Sequence, residues 1–370
     1  MPEDINKPEE CYMQKKIIAM AIAAAVSAPA FADNANVTIY GAADMSYDFI
    51  STGTSAAGVA GASKGNVSSN VSKLGLKGSE DLGDGLSAVW QIEQQINLDN
   101  TGGTFATRNS FAGLKGNFGT VLLGRHDTPY KLATRKLDPF GDSIADNRAL
   151  LGAVSGKSAN TAFDGRQPDV IAYISPAMSG FTGAVAYVNL TEGNTTAAQA
   201  KNSALTAAGM YEAGPFYAGL GYESHTLNTV AAGAKESAWK LGLGYNIDAL
   251  NLGFVYEKTS DNLTAVTAAN RYGHNAYFLA ANYKMGMSAI KFSYGKAGQL
   301  GTTANTAANM VALGYDHGLS KRTKLYAIYS RISNNSAINY GFTQSSAAAG
   351  TINGVGASPS VISLGIKHTF

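Results

Sequence analysis

The last ten residues, Val361-Ile362-Ser363-Leu364-Gly365-Ile366-Lys367-His368-Thr369-Phe370, place a bulky side chain at every second position. Ile362, Leu364, Ile366, His368 and Phe370 share one face, and Ser363, Gly365, Lys367 and Thr369 share the other. A period of two predicts a strand with one apolar and one polar side. The pattern recurs from Val37 onward. Phe181, Val185 and Tyr187 share a face, as do Phe216, Leu220 and Tyr222, and also Trp239, Leu241, Leu243 and Tyr245. Leu250, Leu252, Phe254 and Tyr256, then Ile290, Phe292 and Tyr294, repeat it. A soluble sandwich would bury such faces in its own core, but these runs are too many, too glycine-rich and too far apart. An all-β, transmembrane antiparallel β-barrel inverts the arrangement, with apolar residues toward lipid and polar ones toward a lumen.

Composition and connections agree with that inversion. The chain is 45% hydrophobic with 42 glycines and 19 tyrosines, and after Asp33 it has no stretch of 18 apolar residues for a helical span. Many runs end in tyrosine, which suits an interface where the ring is buried and the hydroxyl wet. Tight connections at 80–85, 115–119, 245–250, 284–287 and 316–320 alternate with long Ala-, Ser-, Thr- and Asn-rich ones at 51–67, 189–201, 260–271 and 335–359. Short periplasmic turns and long external loops are the barrel convention. Strands of about ten residues with such connections give about 16 strands. Backbone groups in hydrocarbon must all be paired, so the sheet has to close.

The amino-terminal residues read as an export signal. Lys15 and Lys16 precede an apolar run from Ile17 to Val26, and Ala30-Phe31-Ala32 has the small-x-small form of a cleavage site. Cleavage after Ala32 is expected to leave a barrel of residues 33–370, with 1–12 an upstream extension of the signal segment. Cys11, the one cysteine, falls in the removed part, so neither disulfides nor thiol chemistry are expected. A net charge of +2 argues against nucleic acid as a partner.

Several segments then carry a likeness. Lys73-Leu74-Gly75-Leu76-Lys77-Gly78-Ser79-Glu80-Asp81-Leu82-Gly83, Arg108-Asn109-Ser110-Phe111-Ala112-Gly113-Leu114-Lys115-Gly116 and Leu319-Ser320-Lys321-Arg322-Thr323 resemble hallmarks of the Gram-negative general porins. The ending Lys367-His368-Thr369-Phe370 resembles the betaproteobacterial branch. The resemblance implies a homotrimer in the outer membrane among lipid and lipopolysaccharide. It also implies a third external loop folded inward, here about Asp127 to Asp164, and passive diffusion of small hydrophilic solutes. A substrate-selective porin with a binding site in the constriction is the alternative. Phe370 would belong to the signal read by the barrel-assembly machinery.

In that family, basic residues on one wall face acidic residues on the inward loop. Lys73 and Arg108 match the wall positions, Lys73 opposite in parity to Leu74 and Leu76, and Arg108 to Phe111. Arg166 is the third wall candidate, opposite in parity to Ile171 and Tyr173. Relatives carry Pro-Glu-Phe-Gly-Gly at the loop tip, whereas this chain has Asp138-Pro139-Phe140-Gly141-Asp142. The acidic role is therefore expected of Asp138 or Asp142, diluted by Arg135, Lys136 and Arg148. The charge count points to weak anion preference. Gly41, Ala42 and Ala43 offer a small-residue surface for neighbouring barrels.

Other signals lead nowhere. Gly61-Ala62-Ser63-Lys64-Gly65 has a hydrolase-like spacing without a strand–turn–helix context, and Gly152 to Ser158 is one residue short of a phosphate loop. No two histidines lie close in sequence. Neither catalysis nor a metal or cofactor is expected.

Overall fold

The computed structural model describes residues 37–370 apart from 100–104, 154–162, 192–200, 230–231, 264–272, 302 and 344–352. The expected signal segment lies outside the described residues, as does most of the Gly152–Ser158 stretch.

Among the described residues there are seventeen strand segments. They are β1 (Thr38–Ser51), β2 (Ser63–Ser69), β3 (Lys73–Gly83), β4 (Leu86–Gln95), β5 (Ser110–Gly116), β6 (Gly119–Asp127), β7 (Arg166–Ile174), β8 (Phe181–Asn189) and β9 (Asn202–Ala213). There follow β10 (Phe216–Leu227), β11 (Lys235–Ile247), β12 (Leu250–Asp261), β13 (Asn275–Met285), β14 (Ser288–Ala297), β15 (Ala308–Gly318), β16 (Thr323–Asn334) and β17 (Ser360–Thr369). Every pairing is antiparallel; from β3 onward each strand pairs with the next in the chain, and β1 meets β17 to close the ring. Both β2 and β3 pair with β1, so together they form one interrupted stave, which leaves sixteen around the barrel. The interruption is filled by polar side chains: Asn70 Nδ2 donates to Tyr326 Oη at 2.8 Å and Ser46 Oγ at 3.0 Å. Strand β2 begins at Ser63, so the first long connection is shorter than the 51–67 expected. No helix follows the Gly61–Gly65 pattern.

The facing of the strands is as the alternation predicts. On β17, Ile362, Leu364 and Ile366 are 45–49% exposed, while Val361 and Ser363 are 1% exposed. The tyrosines and leucines of the other alternating runs likewise point away from the lumen. The short turns obey local rules. Asp84 (φ 52°) and Gly85 (φ 75°) both take the left-handed backbone that a two-residue hairpin requires between β3 and β4.

The closing seam is tightly packed. Gly41 N donates to Phe370 O at 3.0 Å and Phe370 N donates back to Gly41 O at 3.1 Å. A Cβ on Gly41 would collide with the Phe370 ring, and Ala42 is buried on the lumenal side. The small size of Gly41 thus has an explanation within the chain itself, since the last side chain covers it.

The chain between β6 and β7 folds into the barrel. Thr128 caps the short helix α1 (Pro129–Leu132), accepting from Lys131 N at 3.3 Å, with Pro129 supplying the first-turn φ. Beyond it Phe140, Ile144, Leu150 and Leu151 are at most 2% exposed. They pack on Val255, Phe278, Met310, Ala312 and Ile328 of the inner wall. Ile338, Tyr340 and Phe342, from the connection after β16, join the same cluster. Each such side chain contributes about 1.5–3 kcal/mol when fully buried. Part of the lumen is therefore an apolar core.

A bed of glycines admits this loop. A Cβ at Gly219 would strike the Ala133 carbonyl oxygen. One at Gly242 would lie 2.7 Å from Leu137 and Thr134, one at Gly253 2.7 Å from Leu137 O, and one at Gly314 2.7 Å from Phe140. These residues lie on β10, β11, β12 and β15, across which the loop runs.

Candidate functional site: the charged constriction

The loop is held at both ends by polar contacts reaching far along the chain. Tyr217 Oη donates to Ala133 O at 2.7 Å, and Tyr130 Oη donates to Glu257 at 2.7 Å. The same Glu257 accepts from Gly152 N at 2.9 Å, and Lys240 pairs with Asp164. His225 sits between Glu223 (2.8 Å) and Glu236 (2.6 Å), with the Phe163 ring stacked on it at 4.6 Å. A loop fastened this way fixes the position of whatever its tip carries.

The wall candidates occupy two ion clusters. Glu93 of β4 accepts from Lys73 at 3.0 Å, from Arg108 Nε at 2.5 Å and from Tyr40 Oη at 3.0 Å. Asp127, at the end of β6, is shared by Arg166 at 3.1 Å and Lys131 at 2.8 Å, and Arg166 also donates to Asn109 Oδ1 at 2.7 Å. Lys73 on β3, Arg108 just ahead of β5 and Arg166 on β7 thus share one wall. Their first carboxylate partners lie on that wall rather than across the gap.

The parity argument for Arg108 does not hold. Phe111 itself faces inward, opposite Gly124, packed beside Leu122 and 5.3 Å from the His126 ring. Arg108 reaches the lumen because β5 begins only at Ser110 and residues 106–109 depart from strand geometry, with Ala106 at φ 59°.

On the loop the two aspartates part company. Asp142, at φ 63°, accepts from Arg135 at 2.6 Å and Arg148 at 3.0 Å. Asp146 takes the same two arginines at 2.8 Å each. Burial alone would raise the Asp142 carboxyl. Arg135, with Arg148 and the wall residue Arg108, nonetheless holds it below the ordinary carboxylate value against the push of Asp146. Asp138 differs from expectation: it is 7% exposed, and its oxygens accept from Phe140 N and Asn147 N at 2.9 Å each. It braces the loop tip. Burial, and next the nearby Asp146, push its carboxyl up to about 7. Lys131, chiefly through burial, is pushed down to about 8.

Sequence reading missed Glu93, Asp127, Lys131 and Asp146. Glu93 was visible in principle, since it opposes Trp90 and Ile92 in parity. Beside the loop tip a cavity of about 60 Å³ is bordered by Lys291, Lys324, Lys367, Asp44, Asp316 and Asp142. Lys291 and Lys324 each lie 2.6 Å from Asp316, and Lys367 lies 3.1 Å from Asp44. Cations therefore continue along the lumen past the tip. Among the described residues, no three His, Cys, Asp or Glu side chains converge as metal ligands.

Such a passage is a wet, charged aperture between a fixed loop and a barrel wall, in which polar solutes keep favourable contacts and apolar ones gain none. Comparison with known proteins places it. The Gram-negative porin family model matches residues 19–337. Outer membrane porin protein 32 of Delftia acidovorans is 29% identical over 363 residues, covering 97% of this chain and all of that protein. The anion-selective porin from Comamonas acidovorans superposes with a TM-score of 0.73 at 26% identity, covering 91% of this chain and all of that one. An outer membrane protein of Vibrio cholerae, solved in a trimer form, shares the fold at 16% identity and a TM-score of 0.68, over 91% of this chain and all of that one. Porin relatives thus include trimeric forms. Barrel, inward loop, charged aperture and relatives agree: this chain belongs to the Gram-negative porin family, and forms an outer-membrane channel for the passive diffusion of small hydrophilic solutes.

Proposed function

We propose that this porin is a general diffusion channel with a weak preference for anions. Its aperture is lined by Lys73, Arg108 and Arg166 on the wall and by Asp142, with Arg135 and Arg148, on the loop. Asp138 supports the tip from behind. The observation that carries the reading is that the loop brings its own cations. Six cations (Lys73, Arg108, Lys131, Arg135, Arg148, Arg166) accompany four carboxylates (Glu93, Asp127, Asp142, Asp146), with Asp138 partly protonated near neutral pH. The excess positive charge attracts anions into a narrow gap where counter-charges are poorly screened.

The working form is a homotrimer of residues 33–370, freed of residues 1–32 during export, in contact with lipid and lipopolysaccharide. Phe370, seated over Gly41 at the closing seam, serves the barrel-assembly machinery as its signal. The protein's work is permeation, not catalysis. Reconstitution into a planar bilayer under a salt gradient tests the reading. Conductance steps in multiples of three and a reversal potential of the anion-preferring sign are expected. A strong cation-selective potential would refute the preference, and no channel activity would refute the aperture.

A further inference from the structure

Three strands that rise from a short turn toward a long loop repeat one short pattern: Tyr256-Glu257-Lys258 on β12, Tyr294-Gly295-Lys296 on β14 and Tyr329-Ser330-Arg331 on β16. In each, an outward tyrosine is followed two positions later by an outward cation. Lys258, Lys296 and Arg331 are all exposed. No described residue forms a hydrogen bond or ion pair with any of the three side chains. The middle residues, Glu257, Gly295 and Ser330, face the lumen and are buried.

The three cations stand level. Each lies eight residues beyond the first residue of its strand, Leu250, Ser288 and Thr323 respectively. The register shows the matching stagger. Asn275 of β13 lies opposite Lys258 while Tyr277 lies opposite Lys296; Asn309 of β15 lies opposite Lys296 while Val311 lies opposite Arg331. Each step of two strands, about 10 Å sideways, therefore shifts by two residues, about 7 Å along the strand. That slope, about 35°, falls within the tilt of barrel strands. The cations thus run parallel to the tyrosine girdle, one residue pair nearer the outside.

Outward positions of β10–β17 carry no Asp or Glu among the described residues, and at their turn ends no Lys or Arg. The outward cations of these strands are Lys235, at the loop end of β11, and Lys258, Lys296 and Arg331, which share one height just outside the ring of tyrosines that marks the interface. We propose that Lys258, Lys296 and Arg331 form a rail that docks the phosphate groups of a bis-phosphorylated glycolipid of the outer leaflet. The inference rests on the outer-membrane placement and deepens the lipopolysaccharide contact proposed above. Flexible lysine arms on alternate strands reach two phosphates of one head group, and Arg331 supplies a planar two-donor contact. The tyrosines below pack against the first part of the acyl chains.

The test uses the full-length protein in detergent, with native mass spectrometry reading bound diphosphoryl lipid A. In the K258Q/K296Q/R331Q variant the apparent affinity is expected to fall about a hundredfold. Monophosphoryl lipid A should bind less tightly than the diphosphoryl form, and inorganic phosphate at equal concentration should not displace either. Equal binding by variant and parent would overturn the proposal, as would equal binding of phosphatidylglycerol or effective competition by free phosphate. The single change K296Q, expected to weaken binding about fivefold, guards against a folding defect in the triple variant. Bilayer conductance is expected to be unchanged in both variants, so failure of the rail and failure of the channel reading give different results.

Discussion

Strands β10 to β15 and strands β3 to β7 enclose the same water column with different materials. Along the first, glycines at 219, 242, 253 and 314 leave the backbone bare, and the loop lies directly on it. Along the second, Lys73, Glu93, Arg108 and Arg166 stand into the lumen as long charged arms. A wall that must seat a loop benefits from having no side chains, because each Cβ would lift the loop away. A wall that faces solute needs side chains that water can hydrate. The difference teaches that the glycine bed sets aperture size while aperture charge resides on the opposite wall and on the loop tip, so the two can be altered separately.

The largest expected effect comes from spoiling the bed. Gly219→Val places a branched side chain where the Ala133 carbonyl oxygen sits. The loop should be pushed off its bed toward the charged wall, and single-channel conductance should fall on the order of twofold with little change in ion preference. A variant of normal conductance would break the comparison, because it would mean that the bed does not set the aperture.

A smaller effect is expected from charge on the loop. Arg135→Ala combined with Arg148→Ala removes both partners of Asp142 and Asp146. The permeability ratio of chloride to potassium should fall by roughly tenfold, toward cation preference. The reversal potential in a salt gradient measures it, and a ratio that stays put would place selectivity wholly on the opposite wall.

The smallest effect is a drift with pH. Asp138, pushed up to about 7, gains negative charge as pH rises through that value. Lys131, pushed down to about 8, loses positive charge slightly above it. Both changes make the aperture more negative, so anion preference should weaken between pH 6 and pH 9. Asp138→Asn and Lys131→Met should each flatten part of the drift, and a preference that strengthens over this range would contradict both assignments.

Much of this protein is written locally. The outward tyrosines, the tight turns and the stem of the inward loop between Asp127 and Arg166 follow from alternation and turn residues. The lumenal side of Glu93 is legible in its parity, opposite to the bulky Trp90 and Ile92. Arg108 shows where parity ends, since the irregular residues before Ser110 cancel the count. Asp138 shows a second limit. Its charge suggested an aperture residue, but two backbone amides claim its oxygens. Nothing in the neighbourhood of Gly219 or Gly242 announces that a loop from nearly a hundred residues earlier lands there.

The sequence alone determined which side of most strands meets lipid, because a period of two is enforced by the backbone within a few residues. It also determined that the sheet must close, since hydrocarbon offers no partner to an open edge. Tertiary structure decided which charges meet. Tyr130 and Glu257 are 127 positions apart, and whether a carboxylate lines the water or braces a turn depends on the groups that folding brings to it.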